Sequence, residues 1–177
     1  SWVEVQFDAS DHLWIYLDRR HRRRKFLVTT FLRAIGYGTD EELLSLIYKF
    51  ETIKLDAAGI GKAYPNCVFK DDVVDAESQT VLARRYEPVM ENVLTQMKAA
   101  GFKSVEVVDA SYDNGLILKS VKEDPTHSMD EALKDIYLRL RPGDPATPSN
   151  ARQLLKRLFF DARRYDLGRV GRYKINQ

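Results

Sequence analysis

The sequence contains little cysteine and no long apolar run. Its one cysteine, Cys67, excludes an internal disulfide framework and favours a reducing compartment, with the cytoplasm as the expected location. No segment approaches the roughly 18 consecutive apolar residues that cross a bilayer, so we expect no membrane contact. The three histidines, His12, His21 and His127, do not have the spacing of metal ligands. The chain is therefore expected to hold no metal and no cofactor of its own.

A recognisable catalytic centre is missing as well, because no Ser/His/Asp or Cys/His arrangement can be read from the sequence. The run GIGK, residues 59–62, lacks the spacing and the following Ser or Thr of a phosphate-binding loop, and it predicts an ordinary turn. The carboxylates of Asp71, Asp72, Asp75 and Glu77 lack the glycine and closing glutamate of a calcium loop, and they predict a solvated surface. An autonomous small-molecule enzyme is the least favoured class of function.

Charge is plentiful but segregated. The net charge is +2, and a hydrophobic content of 44% is typical of a folded protein. A length of 177 residues fits one domain with room for a small insert. Residues 1–25 hold six basic and four acidic residues, residues 26–138 hold twelve and nineteen, and residues 139–177 hold ten and three. We expect the two basic ends to share one positive face, with solvated charged helices as the alternative.

Two strand-like stretches open the chain. WVEVQFD (residues 2–8) and LWIYL (residues 13–17) both alternate between apolar and polar positions, and the turn-forming DASD lies between them. Pairing Phe7 with Leu13 in antiparallel register places Trp2 opposite Asp18 on the polar face. A tryptophan exposed there, beside cations, could stack on an unpaired base. The alternative is that Trp2, Trp14 and Tyr16 pack under a helix.

A basic run follows at once, and it indicates an anion contact. The segment from Lys25 to Gly38 predicts a helix that ends near Gly36, so the cations lie where a strand ends and a helix begins. Cations at a helix N-terminus oppose the macrodipole, and a merely solvated helix would favour Asp or Glu there. We therefore expect nucleic-acid phosphate as the partner, with a solvated face as the alternative. The run consists of Arg19, Arg20, Arg22, Arg23, Arg24 and Lys25.

The next segment predicts a second helix and then an irregular connection. Thr39 and Glu42 form a capping box at the start of TDEELLSLIYKF, residues 39–50. The apolar stripe of this helix is predicted to consist of Leu43, Leu46, Ile47 and Phe50. Residues 51–64 predict irregular structure.

Residues 66–109 predict a small α+β insert, which carries much of the acidic charge. Strand-like CVFKDDVVD and TVLA precede a helix near residues 87–100, with Pro88 in its first turn and Gly101 at its end, and SVEVVD adds a strand. Cys67 begins a strand, where a small buried residue is expected. Ser128 with Glu131 predicts the start of a further helix. Thr147 and Pro148 predict the cap and first turn of another.

Several of these stretches, in order, resemble the lobe region of the bacterial RNA polymerase β subunit. The resemblance is carried by SWVEVQFD, LWIYLDRR, FLRAIGYGTDEELL, LRPGDPATP, LFF and RYDLGRVGRYKIN. It covers residues 1–50 and 110–177, and residues 66–109 are similar to the small external domain inserted in this lobe. The resemblance and the patterns together predict an α+β fold. Its lobe comprises residues 1–65 and 110–177, with an N-terminal antiparallel hairpin and helices, and its insert comprises residues 66–109.

The resemblance implies that the chain is a piece of a much longer subunit. The parent enzyme is a nucleotidyltransferase that polymerises ribonucleotides on a DNA template, with Mg²⁺ held by another subunit, β′. The matching segment contains no catalytic residue. The lobe lines the downstream DNA channel and contacts the non-template strand, so the implied partners are DNA, the β′, α and ω subunits and sigma factor. The alternative function is a protein-interaction module that docks transcription factors through the acidic insert.

The resemblance also implies roles for individual residues. In this family, the tryptophan that matches Trp2 stacks on an unpaired base of the non-template strand. The residues that match Asp18 and Arg19 line the neighbouring base pocket. The basic run departs from the family pattern, since it is about two residues longer and lacks an early helical proline. The predicted DNA-binding set comprises Trp2, Asp18, Arg19, Arg20, Arg22, Arg23, Arg24 and Arg141.

Overall fold

The computed structural model of the chain describes residues 2–19, 22–140, 147, 149–154 and 156–157, and for residues 2, 3, 17–19, 22 and 23 it describes the backbone. The chain divides into two compact units, Ser1–Leu46 with Leu116–Gln177 and Ile47–Gly115. We call these the first and the second unit. The described strands and helices are, in chain order, β1 (Trp2–Phe7), β2 (Leu13–Arg19), β3 (Arg22–Leu27), α1 (Val28–Ala34), α2 (Asp40–Ser45), β4 (Lys49–Lys54), α3 (Ala57–Ile60), β5 (Cys67–Phe69), β6 (Val73–Val74), β7 (Val81–Ala83), α4 (Glu91–Ala99), β8 (Ser104–Asp109), α5 (Leu116–Glu123) and α6 (Met129–Leu140).

The first unit contains an antiparallel sheet with the strand order β1-β2-β3. The register of β1 on β2 pairs Phe7 with Leu13 and Trp2 with Asp18, so the predicted hairpin is confirmed. The predicted start of the next helix at Lys25 is wrong, because residues 22–27 pair with β2 and α1 begins at Val28. The basic run is therefore a strand, and the argument from the helix macrodipole does not apply to it.

The core of the first unit lies between one face of this sheet and the helices. Ile15 and Phe26 are cross-strand partners and are 5% and 1% exposed. They pack with buried residues of α1, α6 and the helical residues 149–154, namely Ala34, Ala132, Leu133, Ile136, Tyr137, Ala151 and Leu154. Ser128 accepts a hydrogen bond from the amide of Glu131 and begins α6 as predicted. The Thr147 hydroxyl accepts one from the amide of Asn150, whereas Pro148 lies outside the described residues.

The helix α2 starts as predicted and ends early. The Thr39 side chain accepts a hydrogen bond from the Glu42 amide, which confirms the N-cap half of the predicted capping box. The Glu42 carboxylate accepts a hydrogen bond from the Thr39 hydroxyl. The predicted stripe is wrong in part, because α2 ends at Ser45 and Leu46 is 47% exposed. Leu43 and Leu44 are the buried pair.

The second unit contains a sheet with the strand order β4-β8-β5. The irregular structure predicted for residues 51–64 is wrong in part, because residues 51–54 belong to β4, which pairs with β8, and α3 follows. Residues 55–56 and 61–64 lie outside helices and strands. The strand SVEVVD is confirmed as β8. The predicted helix start near residue 87 is also wrong: α4 begins at Glu91, and Pro88 forms a bridge with Val68. Gly101, at φ +96°, follows the end of α4 as predicted.

An apolar core fills the second unit. Leu94 and Met97 of α4 and Val107 of β8 are fully buried, and Cys67 and Phe69 of β5 pack with them. The insert bounds of 66–109 expected from the resemblance stay a prediction, while the compact unit runs from residue 47 to residue 115.

The run GIGK begins in the single helical turn α3 and continues past its end, with Gly61 as the C-cap. Asp56 caps this turn by accepting a hydrogen bond from the amide of Gly59. A Cβ on Gly59 would lie 1.8 Å from the carbonyl oxygen of Lys54, so glycine is required there by close backbone approach. Within the part of the chain that the structure describes, no helix is long and apolar enough to cross a membrane.

Candidate nucleic-acid interface

The sheet β1-β2-β3 has one face that packs on the core and one that we call the polar face. Because directly paired residues of antiparallel strands point to the same side, the register assigns each position to a face. The polar face consists of three cross-strand rows, the last of which ends at a buried leucine: Trp2, Asp18 and Arg23; Glu4, Tyr16 and Lys25; and Gln6, Trp14 and Leu27.

The first row brings together three residues of the predicted DNA-binding set. Trp2 is the Cα partner of Asp18, and Asp18 is in turn the partner of Arg23. The pairing of Trp2 with Asp18 confirms the predicted register. The place of Arg23 in this row was not found from the sequence, because the basic run was not recognised as a strand.

Trp14, in the third row, is fixed on two sides. Its indole Nε1 donates a 2.8 Å hydrogen bond to Oδ2 of Asp8, and the ammonium of Lys25 lies 4.2 Å from the ring centroid. A cation over an indole face is held by the ring quadrupole. The Trp14 side chain is half-buried, and Lys25 is exposed. Trp14 therefore fixes the position of a cation on the polar face.

Asp8 holds this arrangement in place at the end of β1. Besides the Trp14 indole, it accepts hydrogen bonds from the backbone amides of Ser10 and His12, at 2.8 and 2.9 Å. The Trp14 and His12 hydrogen bonds favour the ionised carboxylate and lower the pKa of Asp8 to about 2. The turn between β1 and β2 is thus stabilised by an aspartate that stays ionised over a wide pH range.

Arg24 lies on the other face of β3. Its Cα partner is Leu17, and its Nη1 donates a 3.0 Å hydrogen bond to the carbonyl oxygen of Arg139 near the end of α6. This contact joins the basic run to the end of α6. The expected shared positive face of the two basic ends stays a prediction, because most of residues 139–177 lie outside the described residues. Of the other predicted residues, Arg19 and Arg22 are cross-strand partners. Arg20 and Arg141 lie outside the described residues.

A buried ion network fixes α1, the helix that follows β3. The guanidinium of Arg33 is fully buried and lies 2.5 Å from Oδ1 of Asp40 and 3.2 Å from Oδ2 of Asp124. It also donates to the carbonyl oxygen of Gly38, and the Thr29 hydroxyl donates to Asp124. Sequence reasoning missed this network. Its only local signal is that Thr29 and Arg33 are four residues apart on one helix face.

Two of the four acidic residues singled out in the second unit, Asp72 and Asp75, stabilise turns. Asp72 accepts a hydrogen bond from the amide of Arg85, and Asp75 accepts from the amide of Glu77 and the hydroxyl of Ser78. Among the described residues, no three His, Cys, Asp or Glu side chains gather as metal ligands would. Cys67 is buried as expected, and this burial raises the pKa of its thiol to about 11. A thiol with such a pKa is unreactive at neutral pH.

Comparison with known proteins decides the family. The family model described as RNA polymerase Rpb2, domain 2, matches residues 92–177. The DNA-directed RNA polymerase subunit beta of Methylacidiphilum infernorum is 50% identical over 189 residues, and that of Chlamydia muridarum is 44% identical over 177 residues. Both alignments cover 100% of this chain. The chain belongs to the DNA-directed RNA polymerase β subunit family.

Membership of the β subunit family confirms the resemblance carried by the motifs at the two ends of the chain. The subunit from Protochlamydia amoebophila matches in the same way, at 41% identity over 99% of this chain. The chain spans 14–15% of the length of these relatives. The α+β fold expected from the resemblance is likewise confirmed, with small antiparallel sheets and helices in both units.

Proposed function

We propose that this chain is a non-catalytic part of an RNA polymerase β subunit that lines the downstream DNA channel and contacts the non-template strand. The observation that carries the proposal is the polar face of the sheet β1-β2-β3. There, a row with Trp2, Asp18 and Arg23 lies next to a row with Lys25. An aromatic residue and cations on one sheet face are the combination with which proteins bind unpaired nucleic acid.

The chemistry of each position supports this assignment. A tryptophan can stack on any base, since every base has a π-face, and Arg23 and Lys25 offer positive charge to phosphates. Asp18 can accept hydrogen bonds from base amino or imino groups, and this would favour some bases over others. Cations alone would bind duplex and single strands alike, so the aromatic residue in the same row favours an unpaired strand.

The remaining functions follow from the parent enzyme. We propose that the β subunit acts in a nucleotidyltransferase that polymerises ribonucleotides, with its catalytic Mg²⁺ held by another subunit. Its protein partners would be the β′, α and ω subunits and sigma factor, in the cytoplasm at the nucleoid. The acidic side chains of Asp72 and Asp75 serve turns of the second unit. They give no support to the alternative of a docking module for transcription factors.

The proposal is tested with RNA polymerase assembled around a β subunit that carries Trp2→Ala. Binding to DNA with a pre-melted bubble is expected to weaken by about five- to 150-fold, because the loss of one base–aromatic stack costs roughly 1–3 kcal/mol. Fluorescence anisotropy of labelled DNA measures the dissociation constant. The matched control is Tyr112→Ala, which removes an aromatic side chain of the second unit that is 68% exposed. A Trp2→Ala enzyme that binds the bubble as tightly as this control would contradict the proposal.

A further inference from the structure

Alternation along β3 separates its cations between two faces. Lys25 and Arg23 belong to the polar face, whereas Arg24, between them, belongs to the face on which Ile15 and Phe26 are buried. The Arg24 guanidinium is engaged by the Arg139 carbonyl near the end of α6. The basic run is therefore not one continuous patch of charge.

The position of Lys25 is set by its neighbours on the polar face. Its ammonium lies 4.2 Å from the Trp14 ring centroid, and Asp8 fixes that ring through the indole N–H. An ammonium that is already held loses less conformational freedom when it binds an anion than a freely rotating lysine does. Glu4, the acidic residue of the same row, lies at the β1 end, where its carboxylate accepts a hydrogen bond from the Gln6 amide. An anion would thus approach from the β3 side.

The spacing of the rows indicates what kind of strand can reach both of them. Rows two residues apart along a strand are separated by roughly 7 Å. Successive nucleotides of a strand in duplex DNA rise by only about 3.4 Å. The bases of neighbouring nucleotides can therefore pack on neighbouring rows only when they are unstacked. This favours an unpaired strand as the ligand of the polar face.

We propose that Lys25 binds the phosphate next to the nucleotide held at the Trp2 row, and that Trp14 is the positioning residue for this contact. Tyr16, between Glu4 and Lys25 in the same row, lies where the base of that neighbouring nucleotide would pack. The inference rests on the proposed function. It adds a second nucleotide subsite. It also gives Arg24 a structural role, the hydrogen bond that joins β3 to the end of α6.

The test uses RNA polymerase with a variant β subunit and DNA containing a pre-melted bubble, titrated at several salt concentrations. Each phosphate contact to a single strand contributes about 0.7 to the slope of log affinity against log salt. Lys25→Ala is expected to make the slope shallower by about 0.7, and Lys25→Gln, which keeps most of the aliphatic stem, should do the same. Lys25→Arg should restore the slope, and the matched control Lys122→Ala on α5 should leave it unchanged.

A second measurement identifies the phosphate. Single neutral methylphosphonates are placed along the unpaired strand, and each is combined with wild-type and Lys25→Ala enzyme. One position should weaken binding by the wild type but not by the variant, which is the signature of a direct pair in a double-mutant cycle. Trp14→Leu should reduce the effect of that same methylphosphonate, because Lys25 is then no longer held.

The outcomes separate this inference from the proposed function. If Trp2→Ala does not weaken binding, the proposed function fails and the subsite fails with it. If Trp2→Ala weakens binding while both Lys25→Ala and Lys25→Gln keep the wild-type slope, only the subsite is overturned. Equal slope changes for Arg24→Ala and Lys25→Ala would also overturn the subsite, because the two faces of β3 would then contribute equally to phosphate binding.

Discussion

The two units of the chain stabilise their cores by different means. In the first unit, the fully or nearly fully buried residues include Arg33, Asp40, Asp124 and several hydroxyl side chains. In the second unit, whose residues 47–115 are all described, every buried residue is hydrophobic, with Leu94, Met97 and Val107 at its centre. The comparison teaches that the second unit is held by apolar packing alone, whereas the first unit adds to its apolar core a buried ion network that leaves little freedom in geometry.

The two sheets also differ in how far apart in sequence their paired strands lie. The strands β1, β2 and β3 are neighbours in sequence and in the sheet. In the second unit the central strand β8 comes last in sequence, and it pairs Asp109 with Lys49. A substitution in the buried network should therefore show how much the first unit depends on polar contacts between residues far apart in sequence. A substitution near β4 should show how much a non-local sheet depends on backbone fit.

The largest effect is expected for Arg33→Met, which replaces a fully buried guanidinium with an apolar side chain. It leaves Asp40 and Asp124 without their partner, and removal of one side of a buried ion pair costs about 3–5 kcal/mol. Urea unfolding measures the free energy of unfolding. Met97→Leu, an apolar exchange at an equally buried site of the second unit, should cost less than about 1.5 kcal/mol. Equal losses in the free energy of unfolding for the two variants would contradict the difference between the two cores.

An intermediate effect is expected for Gly59→Ala. The added methyl group would overlap the carbonyl oxygen of Lys54, so the backbone between β4 and α3 must shift at a cost of about 1–3 kcal/mol. Hydrogen exchange of the amides of β4 should report the loss locally. Gly61→Ala is the control, since its nearest obstacle, the carbonyl oxygen of Ala57, is 3.1 Å away. Unchanged protection of the β4 amides from hydrogen exchange in Gly59→Ala would contradict this prediction, because the backbone between β4 and α3 would then shift at little cost.

The smallest effect is expected for Asp8→Asn and depends on pH. The pKa of Asp8 is lowered to about 2 in the folded chain, chiefly by the Trp14 hydrogen bond. Its stabilising contribution is therefore present above the ordinary aspartate pKa, near 4, and is lost as the pH falls toward 2. The stability difference between wild type and Asp8→Asn should narrow between about pH 4 and pH 2. A difference that stays constant over this range, measured by thermal unfolding, would argue against the Trp14–Asp8 contact.

How much of the fold could be predicted depended on how local its determinants are. The register of β1 on β2 followed from period-2 alternation alone, because Val3, Val5 and Phe7 face one side and their partners in β2 do the same. The caps at Thr39 and Ser128 followed from side chains that bond amides three residues away. In each case the information lies within a few residues.

The errors arose where an apolar run fits two structures. Phe26 and Leu27 continue the apolar pattern of α1, so the segment was predicted as helix, although β2 recruits it as a strand. Strand β4 was missed because Ile53 is its one buried residue, which gives no clear alternation. Its partner, β8, lies some fifty residues further along the chain.

The candidate site could be predicted only in part, for the same reason. Trp2 and Asp18 were placed together by local alternation, whereas the division of Arg23, Arg24 and Lys25 between faces required the third strand. The contact from Arg24 to Arg139 spans 115 positions, and that from Arg33 to Asp124 spans 91. No local pattern contains such information.

The sealed environment of Cys67 has a practical consequence for spectroscopy. It is the one cysteine of the chain, and at neutral pH almost none of it is thiolate, the form that reacts with maleimides. A cysteine introduced at an exposed position such as Ser10 should therefore take up a fluorophore selectively, without removal of the native thiol. A dye can therefore be attached in the turn between β1 and β2, at the edge of the sheet β1-β2-β3.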